Sequence, residues 1–512
     1  MNIINDNFER IGFPAIIYSL IFTFCLYKNI ITNYGITYPL FMASTIYMIL
    51  RMLKLRGRKL DAEKKFYIIA LMLLSVSMFT TASRPLWFLN CIFILFILVS
   101  FVISCLFPDS NWDLITYIIK IIKFFFKPLS YISSPFKDLS CYLTDHKKNK
   151  TSSDSSRITA NIFKGILIAL PFIVITVTLL SSADIVFKRI INYFAFDFIT
   201  KINYSSFLSI LFTIIFAFFF IYCLSDLIYS YDSKNVKCQC KNKSSVTAIT
   251  FISLITVSYL VFSVIQIVFI FAGDTALPDD YTYSEYVHQG FYELVAVCAI
   301  NLFLVSIVKI FYLQNRTLNT LMIVFSACTY IMMASAVIRM FMYIKAYRLT
   351  FARVLVLLFI FIMFIWFSAL IINLLKKDFN LFKFFIYSAV PLYIIFAFSH
   401  PDYWIAKYDL YNMTESYHEY SSYDNTGDYD YVMSELSTDA LPAIFSNKYA
   451  AKVYMESSFY GINFSSLSDS DKNKMINEKT GYLPNRLRSF NLSSCIGSRI
   501  IKDYCLSALN QP

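Results

Sequence analysis

YTYSEYVHQGFYELVAVCAINLFLVSIVKI, residues 281–310, begins as a polar, aromatic entry and continues as an apolar run with one carboxylate, Glu293, near its start. A run of this length crosses a bilayer core of roughly 30 Å as a helix. A charged side chain within it is costly unless it is paired, neutralised or turned toward protein or water. Helical spacing puts Tyr286, Gly290, Glu293 and Val297 on one face, with Gln289 and Asn301 at its margins. That face is therefore expected to look into a helix bundle.

Similar runs recur on both sides of this stretch, at 11–27, 36–53, 66–82, 85–106, 162–180, 207–227, 246–271, 318–340, 354–375 and 382–398. With the opening stretch they make about eleven spans, in a chain that is 58% hydrophobic and only 15% charged. The pattern predicts an all-α polytopic transmembrane bundle, since barrel strands would be short and alternating. The net charge of +12 suggests nucleic acid as a partner, but the basic residues crowd into short connections between spans, as membrane insertion requires. The expected partner is the lipid bilayer, with no nucleic acid.

The cluster Arg51, Lys54, Arg56, Arg58, Lys59, Lys64 and Lys65 sets the orientation. Placing it in the cytoplasm puts the N-terminus inside, and the first run reads as a retained span because no small-residue cleavage site follows it. Residues 110–160 are expected to hold a cytoplasmic amphipathic helix, with Lys120, Lys123 and Lys127 at helical spacing, and then the polar linker HKKNKTSSDSS. The turn SRP at 83–85 is a short external corner.

The bundle is predicted over 1–398 and a small helical extracytoplasmic domain over 399–512, where Asp, Glu, Lys, Ser, Asn and Tyr become prominent. Ser437, Thr438 and Asp439 are expected as helix caps, Pro442 belongs in a first turn, and further helices are expected at 468–478 and 492–509. His400, Pro401 and Asp402 read as capping or turn residues.

Several candidate ligand sets fall short. Cys238 and Cys240 offer two thiolates where a closed zinc site needs four ligands. Asp424, Asp428 and Glu435 fit three positions of a calcium loop, but Gly427 comes two positions too early for its turn. The four histidines, 146, 288, 400 and 418, include no HExxH, and neither a metal nor a cofactor is expected. Cys495 and Cys505 lie where a disulfide is chemically permitted, but on one unbroken helix they would stand about 15 Å apart. A break at Gly497 would be needed to join them.

The segments SSAD (181–184), TYSEYVHQGFYEL (282–294), RMFMYIKAYRLTFAR (339–353), HPDYWIAKYDL (400–410), LSTDALP (436–442) and RSFNLS (488–493) together resemble one group. They are similar to the bacterial membrane family called domain of unknown function 4173, related to domain of unknown function 4153. In the family pattern a basic and an acidic residue fill the places of His288 and Gln289, and a glycine that of Arg348. The resemblance implies a multi-pass architecture in a bacterial plasma membrane with an external C-terminal part, and it supplies no activity, because none is established for the family.

The candidate site is a buried charge cluster. Glu293, Arg339 and Arg353 are expected at similar depth near the external ends of three spans, with Glu285 and His288 just above. Such a cluster suits a latch between helices, an anionic or lipid-linked ligand, or proton coupling. Three functions stay open: an envelope sensor or accessory subunit with a protein partner at the external domain or cytoplasmic loops, a transporter using Glu293 and Arg339, and an enzyme acting on lipid-linked substrates. Ten glycines in 512 residues weigh against moving, broken helices, and no nucleophile, base and acid set is recognisable.

Overall fold

The computed structural model describes residues 8–27, 35–57, 60–107, 114–148, 176, 180, 184, 204–230, 244–272, 291–376, 381–416, 431–459, 468–482, 488 and 490–509. Among these residues there is no strand. Most of the span expected at 162–180 and of SSAD, together with the CxC pair and the calcium-loop aspartates, lies outside the described residues.

In chain order the helices are α1 (Phe13–Leu26, after a π-helical turn Phe8–Gly12), α2 (Thr37–Leu55), α3 (Ala62–Thr80), α4 (Arg84–Leu106), α5 (Leu114–Phe126) and α6 (Ser134–Lys148). They continue as α7 (Tyr204–Ser230), α8 (Ser245–Ala272), α9 (Phe291–Phe311), α10 (Arg316–Tyr347), α11 (Phe351–Leu375) and α12 (Leu381–Phe398). The last four long ones are α13 (Pro401–Ser416), α14 (Lys448–Ser458), α15 (Asp469–Thr480) and α16 (Leu492–Leu509).

Among the described residues seven helices are long and apolar enough to cross a bilayer: Phe8–Leu26, Arg84–Leu106, Leu208–Ser230, Ser245–Val268, Phe291–Phe311, Arg316–Lys345 and Phe351–Leu375. The pair Lys383–Phe398 and Pro401–Met413, bent by 60°, makes an eighth if counted as one span. Large apolar side chains such as Phe88, Phe212 and Leu254 are mostly exposed along these helices, as a lipid-facing surface requires. The hydropathy reading expects eleven. Two of its runs are α2 and α3, which carry Arg51 and Lys54, and Glu63, Lys64 and Lys65 within the helix.

Two compact units divide the chain. The first comprises residues 1–30, 40–59 and 125–232. Within it α1 packs along α7, and Tyr18 and the Thr45 hydroxyl of α2 lie 2.9 Å apart. Arg56 donates to the Ile228 carbonyl at 2.9 Å, near the C-terminal end of α7, where the helix dipole favours a cation.

The second unit comprises residues 31–39, 60–124 and 233–512. The residues after 398 are therefore grouped with membrane helices, yet they keep a core of their own around Ala406, Leu410, Leu441, Ile444, Ala450 and Ile501. Ser468 caps α15, Gly481 ends it at φ +68, and Pro442 stands in the first turn of the short helix Leu441–Ile444, as the sequence leads one to expect. Helix α16 runs unbroken through Gly497, where a Cβ would meet Leu441 Cδ1 at 2.7 Å. That glycine permits a close approach of two elements.

Helices α3 and α4 form a hairpin against which α12 packs. Lys383 of α12 pairs with Glu63 at the start of α3 at 2.9 Å, and Phe93 of α4 stacks on Tyr393 of α12 at 3.6 Å. Between them Asn90, fully buried, donates to Ser77 at 2.8 Å and accepts from Tyr393 at 2.8 Å. A second polar relay, Tyr259 to Asn301 at 3.0 Å and Asn301 to Thr329 at 3.1 Å, joins α8, α9 and α10. Inside a bundle such bonds between helices supply direction that apolar packing lacks. Replacing Asn90 with Leu removes both bonds, although Ser77 still donates to the Leu74 carbonyl. The expected cost is about 1 kcal/mol per lost bond, read as a lower thermal midpoint of the purified chain in detergent.

Candidate functional site

The turn between α3 and α4 is built by three short residues. Thr81 and Ser83 are fully buried, and the Ser83 amide donates to the Thr81 hydroxyl at 3.1 Å. Trp87 closes the corner, its indole N–H donating to the carbonyls of Met78 at 3.1 Å and Thr81 at 3.0 Å, which satisfies acceptors that the end of α3 leaves open.

Three motifs from the far end of the chain meet this turn. From LSTDALP, Asp439 accepts a short hydrogen bond from the Thr81 hydroxyl and a second, at 3.3 Å, from the Ala82 amide. From RSFNLS, Asn491 donates to the Thr81 carbonyl at 2.7 Å. From HPDYW, His400 Nδ1 lies 3.4 Å from Asp439 Oδ2. His400 adopts φ +50 at the bend between α12 and α13. That left-handed backbone turns α13 away from the axis of α12.

A second carboxylate lies beside the first. Asp402, 3% exposed, accepts from the Ser437 hydroxyl at 2.6 Å and from the Ser437 amide at 3.2 Å. Ser437 also accepts the Asp439 amide at 3.3 Å, so one serine caps its own turn and links the two acids. Burial pushes the Asp402 carboxyl above its usual range, opposed by the Ser437 hydrogen bond and reinforced by the charge of Asp439. The His400 imidazole is raised by its hydrogen bond to Asp439, with burial acting against it and the charges of Asp439 and Asp402 adding to the rise.

The basic loop between α10 and α11 is held by a third acid. Asp409, 1% exposed, accepts the Leu349 amide at 2.8 Å, and Tyr431 accepts the Phe351 amide at 3.1 Å. Arg348 has φ +69, the backbone that a glycine adopts most readily. Arg353 folds back on the end of α10, donating to the carbonyls of Tyr347 at 2.6 Å and Arg348, and lies over the Tyr343 ring at 4.2 Å. A cation placed there complements the negative end of the helix.

The expected charge cluster does not assemble among the described residues. Glu293 is exposed in the first turn of α9, whose buried side carries Phe291, Leu294, Cys298 and Asn301. The buried face is thus rotated by about 100°, one residue, from the face expected to hold Glu293. Arg339, 5% exposed, donates at 3.2 Å to Gln266 of α8, which also accepts from Ser335 at 2.5 Å. Glu285 and His288 lie outside the described residues. Cys495 and Cys505 are free thiols on the unbroken α16, so the break at Gly497 that a disulfide would need is not there. Among the described residues no group of three or more His, Cys, Asp or Glu is placed to hold a metal.

Of the three expected caps, Ser437 takes the task, while Asp439 is aimed at the turn. Beside the junction lies a cavity of about 780 Å³, lined by Arg84, Asp402, Tyr431, Ser437, Asn477 and Ser494 among others.

Three outcomes follow from this geometry. Asp439→Ala removes two bonds to a buried carboxylate and is expected to cost about 1.5–3 kcal/mol per charged bond, read by thermal unfolding. Glu293→Gln, at an exposed position, is expected to stay within about 0.5 kcal/mol of the parent. Because His400 is raised on folding, its contribution is fully present below its ordinary value of 6.5 and is lost as pH rises through the higher folded value. A pH series of midpoints should show that decline in the parent and not in His400→Gln.

Neither a curated protein nor a solved structure matches the chain. A family model does, over residues 68–446, a stretch that contains the α3–α4 turn, His400, Asp402, Ser437 and Asp439 and ends before Asn491. The chain belongs to the family described as domain of unknown function DUF4153.

Proposed function

We propose that this integral membrane protein is an envelope sensor or accessory subunit of a bacterial plasma membrane, related also to domain of unknown function 4173. The helices after Pro401 lie outside the cytoplasm in this reading, receive a signal or a protein partner, and pass the event to the membrane helices. The observation that carries it is the pair of bonds from Thr81 and Ala82 to Asp439, which fastens the C-terminal helices to the α3–α4 corner through a buried carboxylate. His400, between α12 and α13, touches the same carboxylate, so a change in α13 reaches two membrane elements at once. The amphipathic α5, with Lys120 over the Phe107 ring at 4.2 Å, anchors the opposite loop at the lipid surface in this reading.

A transport reading is favoured by one observation, the buried guanidinium of Arg339 against Gln266. There Arg339 is the charged group of a latch or ligand site, with Glu285 and His288 as its proposed neighbours. Glu293 is exposed and Arg353 bonds backbone carbonyls, so this reading rests on Arg339 rather than on those two.

Hydrogen exchange on the full chain in detergent tests the sensor reading. In Asp439→Asn, protection is expected to fall along α13 and also in the last turns of α3 and the first turns of α4. Loss confined to residues 436–444 would sink the relay.

A further inference from the structure

We propose that the cavity beside the junction binds a small ligand through an ammonium group, held by Asp402 and Ser494. This deepens the sensor reading and rests on it, because it names the chemistry that the C-terminal helices receive. The cavity, about 780 Å³, falls in the range that encloses small organic ligands. Its polar lining is unevenly satisfied. Asp402 is a buried carboxyl group that accepts from the Ser437 hydroxyl and amide and has the Ser83 hydroxyl beside it. Ser494 is 1% exposed, and its hydroxyl oxygen has no hydrogen-bond partner among the described residues, although its amide donates to Asn491 at 3.1 Å.

A buried hydroxyl without a partner costs free energy that a ligand donor would recover. A buried carboxylate asks for a cation more than for a neutral donor. An ammonium group supplies three N–H donors and a charge, which matches both a carboxylate and an acceptor hydroxyl on the lining of one cavity. Trp87, Phe351, Tyr431 and Tyr454 also line the space, and aromatic faces suit an ammonium ion. Arg84 and Lys479 on the lining stand ready for a carboxylate on the same molecule. A simple amine and an amino-acid zwitterion both carry such a group.

Occupation would bear directly on the relay. Asp402 is joined through Ser437 to the amide of Asp439, and Asp439 holds the α3–α4 turn. A cation at Asp402 changes the charge beside the carboxylate on which that attachment depends.

The test uses the full chain purified in detergent, with ethanolamine hydrochloride, glycine and glycerol as probes in separate calorimetric titrations and thermal scans. Ethanolamine is expected to bind and to raise the midpoint, and glycerol is not. Tighter binding of glycine than of ethanolamine assigns the zwitterion, and the reverse assigns the simple amine. Asp402→Asn is expected to weaken ammonium binding by about tenfold or more, and Ser494→Ala by several-fold, at roughly 1.4 kcal/mol per factor of ten. Ser494→Ala keeps the proposal open to refutation if Asp402→Asn fails to fold. No binding by either ammonium probe, equal binding by glycerol, or unchanged affinity in Ser494→Ala overturns the proposal. None of these results touches the exchange pattern of Asp439→Asn, so the ligand and the relay can fail separately.

Discussion

A carboxylate with 1% of its side chain exposed must find donors in the protein, and Asp439 finds them on an element 357 and 358 residues away in sequence. The Thr81 hydroxyl and the Ala82 amide are donors that the α3–α4 corner would otherwise turn toward solvent or leave unmet. Removing either side leaves a buried polar group alone, and that asymmetry, more than the net strength of each bond, makes the attachment strong. Asn491, Ser437 and His400 are arranged around this contact, each from a different segment of the C-terminal third.

The two halves of the second unit face different physical problems. In the bundle the lipid side is as apolar as the interior, so helices need polar markers to choose their neighbours. Asn90, Asn301 and Gln266 are those markers, each buried and each bonded across helices. After Pro401 the helices are short and polar on the outside, and ordinary burial of Leu410, Leu441, Ile444 and Ile501 gives them a core. The acids at 402, 409 and 439 stand at the seam between these regimes, where backbone amides at turns are available to them.

Much of the architecture is legible in the residues. Each expected span among the described residues is a helix within a few positions, because long apolar runs mark helices, although α2 and α3 are not among those long and apolar enough to cross a bilayer. Ser468, Pro442 and the start of α16 are equally readable, since caps and first turns are local chemistry. The positive φ at Arg348 is not legible, because a glycine adopts that backbone more readily than an arginine. The orientation of α9 is not legible, because an apolar stripe facing lipid and one facing protein have the same composition. A shift of one residue then moves Glu293 from the interior to the surface. The junction is not legible either: Thr81, Asp439 and Asn491 are unremarkable one by one, and only the tertiary fold brings them together.

The hairpin α3–α4 and the helix α12 are fastened at both ends and in the middle: Glu63 with Lys383, Asn90 with Tyr393, and Thr81 with an acid that His400 also touches. From Glu63 to Thr81 is about 27 Å at the rise of a helix. A piston-like slide of α12 along the hairpin by one turn would break all three fastenings at once. Tilting about the stacked rings of Phe93 and Tyr393 keeps the middle fastening and strains only the two at the ends. Rocking as a lever with its fulcrum at the asparagine therefore costs these three helices less than sliding does.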